Sequence, residues 1–255
     1  MLLVIDVGNT NTSLGVYEGE RLAAHWRLTT ARARTVDEYG VHARNLFALA
    51  GIDFQQITAV AVASVVPPLN FTLRRMSEVY FGQTPLFIDN TTDTGLEILY
   101  EPPSDVGADR IVDAVAARHK YGAPCIVVDF GTGTTFDAIN AAGQYLGGVI
   151  CPGINISADA LFERAARLPR VQIARPRSVV GSSTVGSIQS GLYYGYVGLV
   201  DGILRRVVAE LGGSPAVVAT GGLAPLIAHG SELIQRVDDT LTLEGMRIIY
   251  ERSSR

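Results

Sequence analysis

The stretch Leu2-Leu3-Val4-Ile5-Asp6-Val7-Gly8-Asn9-Thr10-Asn11-Thr12 sets an apolar run directly against a polar turn. Four successive apolar residues are short enough for a strand buried on both faces, and Gly8 with Asn9 suggests a tight turn that takes positive φ. Asp6 then stands at the strand's end. A carboxylate there is costly unless it accepts hydrogen bonds or faces a cation, while the hydroxyls and amides after it suit an anion. The stretch reads as a phosphate grip, although an ordinary β-hairpin closed by an Asx turn would use the same residues.

A second copy shifts the balance. Cys125-Ile126-Val127-Val128-Asp129-Phe130-Gly131-Thr132-Gly133-Thr134-Thr135 lies 123 residues further on and repeats the apolar run, the Asp, the Gly and the hydroxyl-rich turn. At that offset Gly8 matches Gly131 and Thr12 matches Thr135. Residues 14–17 and 136–140 read as second strands, and residues 21–28 and 145–150 as third strands, so each copy opens with a three-stranded meander. The expectation is a duplicated α/β unit whose two glycine-hydroxyl loops face each other across a cleft and hold a nucleotide's phosphates.

Between and after the meanders the elements recur in the same order. Residues 35–50 read as a helix closed by Gly51, 57–66 as a buried strand, 67–80 as a helix opened by Pro67-Pro68, and 85–89 as a short strand. In the second copy a long insertion, residues 153–213, precedes the strand at 216–219. Ala219-Thr220-Gly221-Gly222 echoes Ala63-Ser64-Val65-Val66, and Gly221 with Gly222 lets the backbone approach a flat ligand, which assigns that turn to the adenosine end of a nucleotide. A plain strand-to-helix turn is the alternative there. The implied division places one subdomain at residues 1–115 and a second, with the helical insertion, at 116–255.

Composition narrows the function. With 255 residues, 47% hydrophobic and 18% charged, the chain can bury a large core, and its net charge of −4 offers no field for nucleic acid or anionic lipid. No basic region precedes the first apolar run, and no apolar stretch approaches the roughly 18 residues of a membrane span. A cytoplasmic protein with no membrane partner is expected. Cys125 and Cys151 lack a CxxC spacing and read as reduced thiols, and the four histidines lie singly. Twenty arginines accompany one lysine, Lys120, and GxxxxGK[ST] is absent. Any phosphoryl transfer must then lean on metal ions, backbone amides and arginine.

Gly107-Ala108-Asp109-Arg110 follows Pro102-Pro103 and opens a helix whose apolar face includes Ile111, Val115 and Ala116. A carboxylate there suits general-base work and a guanidinium suits an anion, while a capping Asp with a surface Arg is the simpler alternative. The glycines Gly191, Gly195, Gly198 and Gly202 fall on one face of a helix expected over 187–211. That face packs either on the chain's own sheet or on a second copy.

Six motifs in order resemble the type III pantothenate kinases of the acetate and sugar kinase, heat-shock and actin superfamily. They are Asp6 to Thr10, Gly107 to Arg110, Asp129 to Thr135, Gly147 to Gly153, Thr184 to Gly191, and Thr220-Gly221-Gly222. The resemblance implies duplicated ribonuclease H-like (actin-like ATPase) domains with a nucleotide cleft between them. It implies ATP-dependent phosphorylation of pantothenate to 4'-phosphopantothenate, the first step toward coenzyme A. Position by position, Asp109 would accept the proton. Asp6, Val7, Gly8, Asn9, Thr10, Asn11, Thr12 and Ser13, with Gly131, Thr132, Gly221 and Gly222, would hold ATP. Asp6 would also meet Mg2+, and Asp129 a monovalent cation, K+ or NH4+. Tyr100, Gly107, Ala108, Asp109, Arg110 and Thr184 would contact pantothenate, in a homodimer. The alternatives are a kinase for another small hydroxylated substrate and a non-enzymatic ATP-binding regulatory protein of the same fold.

Overall fold

The computed structural model describes residues 1–165 and 168–254. The chain folds as two compact units, the first of residues 1–96, 101–116 and 241 onward, the second of residues 97–100 and 117–240.

In the first unit β1 (Leu2–Val7), β2 (Asn11–Glu18) and β3 (Arg21–Thr29) form the antiparallel meander. Two parallel strands, β4 (Ala59–Ser64) and β5 (Leu86–Ile88), extend the sheet on the other side of β1 to give the order β3-β2-β1-β4-β5. β1 and β4 are central and therefore apolar except for Asp6 and Ser64 toward their ends, whereas edge strand β3 carries Arg21, His25 and Arg27 to solvent. α1 (Val36–Leu49) starts at a capping box, in which the Thr35 side chain accepts from the Glu38 N–H and the Glu38 carboxylate accepts from the Thr35 N–H at 2.7 Å. α2 (Pro67–Met76) places its two prolines where no intrahelical N–H is needed, and a π turn over Ser77–Phe81 prolongs it to Gly82, whose φ is 65°. Leu3, Ile5, Phe47, Val62, Leu69 and Leu73 make the core between sheet and helices, each stabilising the fold by about 1.5–3 kcal/mol through burial.

α3 (Ala108–Tyr121) runs from the first unit into the second, where the same plan recurs. β6 (Cys125–Phe130), β7 (Gly133–Ile139) and β8 (Tyr145–Pro152) form the meander, followed by α4 (Ile154–Arg164) and α5 (Thr184–Leu211). Then come β9 (Ala216–Thr220), α6 (Ala224–Ala228) and β10 (Arg236–Val237), giving the order β10-β9-β6-β7-β8. Strand for strand this matches the first sheet in order and direction. The burial patterns of β1 and β6 are identical, and that of β7 repeats along β2.

Three expectations need correction. The chain does not divide once between residues 115 and 116. The last helix, α7 (Leu241–Ser253), packs with the first unit, where Gly245 comes so close to α3 that a Cβ on it would lie 2.1 Å from the Val112 carbonyl oxygen. Residues 97–100 belong to the second unit, because Ile98 bridges to Tyr145. The repeat offset also changes across the turn. Asp6 pairs with Ser13 but Asp129 with Thr135, so the partner of Thr12 is Thr134, not Thr135. Likewise Asp6 lies beside Ala63 and Asp129 beside Thr220, which moves the echo in the parallel strands by one residue.

Candidate active site

The first loop joins β1 to β2 through three residues, Gly8, Asn9 and Thr10. Its closing hydrogen bond runs from the Gly8 N–H to the Asn11 carbonyl at 2.9 Å. Positive φ was expected at Gly8 and Asn9, yet neither takes it. Glycine is used here for closeness instead, since a Cβ on Gly8 would sit 3.1 Å from the Asn11 carbonyl oxygen. Thr30, just past β3, braces the loop from the side. Its hydroxyl donates to the Gly8 carbonyl at 2.7 Å and lies 2.9 Å from the Thr12 hydroxyl, and its N–H donates to the Thr10 carbonyl at 2.9 Å. Sequence reasoning missed Thr30, whose signal was a hydroxyl pair, Thr29-Thr30, closing an otherwise apolar-rich strand. Asp6 is half-buried at the end of β1, with Asn9 and Thr10 exposed.

The second loop is shorter, with Gly131 and Thr132 alone between β6 and β7. The Gly153 N–H donates to the Thr132 carbonyl at 3.1 Å, and a Cβ on Gly153 would stand 2.1 Å from that oxygen. Gly221 has φ of 91°, and a Cβ there would lie 2.5 Å from Asp129 Oδ1 and 2.8 Å from the Phe130 backbone. The close approach that Gly221 allows is thus to the chain's own Asp129, while Gly222 beside it is exposed. Gly131 presses from the other side, its Cβ position 3.0 Å from Asp129 Oδ2. Side chains at these glycines would collide with the Asp129 carboxylate.

Asp109 lies in the first turn of α3, where its Oδ1 accepts from the Arg110 N–H at 2.8 Å. Gly107 leaves room for it, since a Cβ there would be 2.5 Å from the same Oδ1. Desolvation pushes the Asp109 pKa up, against the opposing pull of the Arg110 N–H and guanidinium. Ala108 and Arg110 are buried.

Tyr100 is held within the second unit. The Leu99 N–H donates to the Tyr145 carbonyl and the Tyr145 N–H to the Glu97 carbonyl, both at 2.8 Å. The Tyr100 ring then covers Gly147, where φ is 119° and a Cβ would lie 2.8 Å from the ring. Beneath, the buried Tyr145 hydroxyl donates to Asp137 at 2.6 Å. Thr184 is the first residue of α5, following Ser183, whose side chain accepts from the Gly186 N–H at 3.1 Å. It lines an open groove of about 790 Å³ together with Leu161, Leu168, Ser187 and Gly191. Lys120 does not serve either loop, because it pairs with Asp238, which also accepts from the Tyr121 hydroxyl at 2.7 Å. Among the described residues no group of three or more His, Cys, Asp or Glu is placed to hold a metal by itself, and no helix is long and apolar enough to cross a membrane.

Two copies of a meander and a parallel pair, each with a glycine-hydroxyl turn at the end of its central strand, define the duplicated ribonuclease H-like fold of the actin-like ATPases and sugar kinases. A solved Campylobacter jejuni structure described as a Baf-family transcriptional activator shares it, with a TM-score of 0.59 at 19% identity over 99% of this chain and 100% of that one. Within this class the chain belongs to the type III pantothenate kinase family, whose model matches residues 2–206. The type III pantothenate kinase of Koribacter versatilis is 59% identical over 263 residues, covering 99% of this chain and 96% of the relative. That of Anaeromyxobacter sp. is 60% identical over 253 residues, covering 99% and 100%.

Proposed function

We propose that this protein transfers the γ-phosphoryl group of ATP to the primary hydroxyl of pantothenate, giving 4'-phosphopantothenate in the first step of coenzyme A biosynthesis. The observation that carries this reading is the full-length likeness to named pantothenate kinases, within which all six motifs lie.

Asp109 accepts the hydroxyl proton. Its raised pKa brings its basicity closer to that of a proton acceptor working near neutrality, and Gly107 keeps the carboxylate unobstructed. The backbone amides and hydroxyls from Asp6 to Ser13, with Thr132, receive the phosphates, and Gly221-Gly222 lies toward the adenosine. A magnesium ion suits Asp6, because this metal takes one or two carboxylates and completes its shell with water and phosphate oxygens, matching lone carboxylates better than a protein-built cage. Asp129, whose carboxylate is packed against Gly131 and Gly221, would take a second, monovalent cation, K+ or NH4+. Bound cations supply charge neutralisation at the phosphates. Tyr100, Gly107 to Arg110 and Thr184 select the acceptor.

The protein acts as a homodimer in this reading. Among the described residues, Gly191, Gly195 and Gly198 meet nothing beyond their own helix backbone within 4 Å of their Cβ positions and Gly202 meets only the Arg206 side chain of the same helix at 3.8 Å, while Tyr193, Tyr196, Val200 and Leu204 on other faces of α5 are buried in the second unit's core. This exposure supports the reading in which the glycine face takes a second backbone. Sedimentation equilibrium at micromolar concentration checks this, with a fully active monomer counting against it. For the activity, ADP release is coupled to a spectrophotometric assay with ATP, magnesium and pantothenate. Turnover on glycerol or sugars with none on pantothenate would sink the assignment and leave the fold intact.

A further inference from the structure

The charge balance at the first loop is unresolved by the residues so far. A triphosphate brings several negative charges, and the chain's one lysine is committed to Asp238. Arg32 answers this need. Its Nη2 donates to Asn9 Oδ1 at 3.2 Å, which anchors the guanidinium at the tip of the loop. One hydrogen bond uses one of five guanidinium donors, and among the described residues Arg32 makes no ion pair.

The backbone that carries Arg32 is fixed to the same loop. Thr30 grips Gly8, Thr10 and Thr12 as described, the Arg34 N–H donates to the Ala31 carbonyl at 3.2 Å, and Thr35 immediately caps α1. The segment between β3 and α1 is thus a bracket with few free dihedrals rather than a loose loop. Among the described residues nothing comparable stands at the second loop, where β8 passes to α4 through Gly153 alone.

We propose that Arg32 is the phosphate-binding cation of the first loop, contacting the nucleotide's terminal phosphates through the donors that Asn9 leaves free. This rests on the reading that Asp6 to Ser13 hold the phosphates. A guanidinium suits the task, since charge-assisted hydrogen bonds to phosphate are short and strong, and the planar fork can serve Asn9 and an oxygen anion together.

Two substitutions separate charge from scaffolding. Arg32→Gln keeps an amide donor for Asn9 and removes the charge, whereas Arg32→Lys keeps the charge and alters the fork. Steady-state kinetics with ATP varied at saturating pantothenate, and calorimetric binding of ATP, ADP and adenosine, are read for each. The expected result is a loss in kcat/KM for ATP of roughly 10- to 100-fold in Arg32→Gln. Lysine should recover part of that loss, and adenosine affinity should not change. Recovery by Gln but not by Lys would overturn the proposal and make Arg32 a brace for the loop. Unchanged ATP kinetics in Arg32→Gln would overturn it as well, and Gly8→Val then tells the two readings apart. If Gly8→Val weakens ATP but not adenosine, the loop still holds phosphates and only the Arg32 assignment fails. If it weakens neither, the phosphate reading of the loop falls too.

Discussion

The first and second glycine-hydroxyl loops grow from the same strand pair, with the same central burial pattern, and differ at their tips. The first has three residues, is braced from the side by Thr30 and carries the Arg32 guanidinium hydrogen-bonded to Asn9. The second has two and is pressed by backbone, from Gly153 behind and Gly221 beside. A duplicated sheet is held in register by its pairing, since a one-residue slip would turn every buried side chain outward. The turn at the strand's end is under no such constraint and can lose a residue without disturbing the core. The difference teaches where specialisation is tolerated: the first turn is shaped by side chains, the second by glycines around one carboxylate.

In the proposed reading neither loop supplies the proton acceptor, and that gives the strongest way to test the division of labour. Asp109→Asn keeps the size of the side chain and removes its basicity, so kcat should fall by roughly 10²- to 10⁴-fold while ATP binding survives. The pH profile gives the sign. Because desolvation raises the Asp109 pKa, the wild-type rate should fall on acidification through a value above the ordinary 3.8, as the carboxylate takes up a proton. That limb should vanish in the Asn variant. Near-normal turnover would reduce Asp109 to a helix-start residue and leave catalysis to the loops.

The glycines give a contrast of intermediate size. Gly221→Ala meets both a positive φ and Asp129 at 2.5 Å, and should lower unfolding stability by about 1–3 kcal/mol. Gly8→Ala meets one carbonyl oxygen at 3.1 Å without positive φ, and should cost less than about 1 kcal/mol. Urea denaturation of both variants measures the difference. Equal losses would mean that the two loops are built alike after all.

Much of this scaffold was legible from residues 2–12 and 125–135, because buried strands ending in Asp and Gly carry their signal locally. The two meanders, the helix that α1 forms and the glycine face of α5 followed from short-range patterns. The one-residue change of offset did not, since Thr12 can be aligned with Thr134 or Thr135 until the strand pairing is seen. Nor did the return of α7 to the first unit, which depends on the close approach of Gly245 to Val112, residues more than a hundred positions apart. Arg32 was hidden for a third reason. In a chain with twenty arginines its exposed side chain looks like any other until its bond to Asn9 is placed.

The smallest expected effect concerns Tyr100, whose position depends on a glycine that belongs to neither loop. A side chain at Gly147 would intrude on the ring at 2.8 Å and would also have to adopt φ of 119°. The hydrogen bonds between Tyr145 and residues 97 and 99 hold the backbone in place, so the ring rather than the strand should yield. If Tyr100 contacts the acceptor, Gly147→Ala should raise KM for pantothenate by roughly 3- to 10-fold through misplacement, with KM for ATP within about twofold of wild type. Tyr100→Phe separates the hydroxyl from the ring and should not mimic the glycine variant if ring placement is what matters. A rise in both KM values together would point to distortion of β8, which also pairs with β7 beside the second loop. The contrast would then lie in the stiffness of the two sheets, and Tyr100 would lose its separate role.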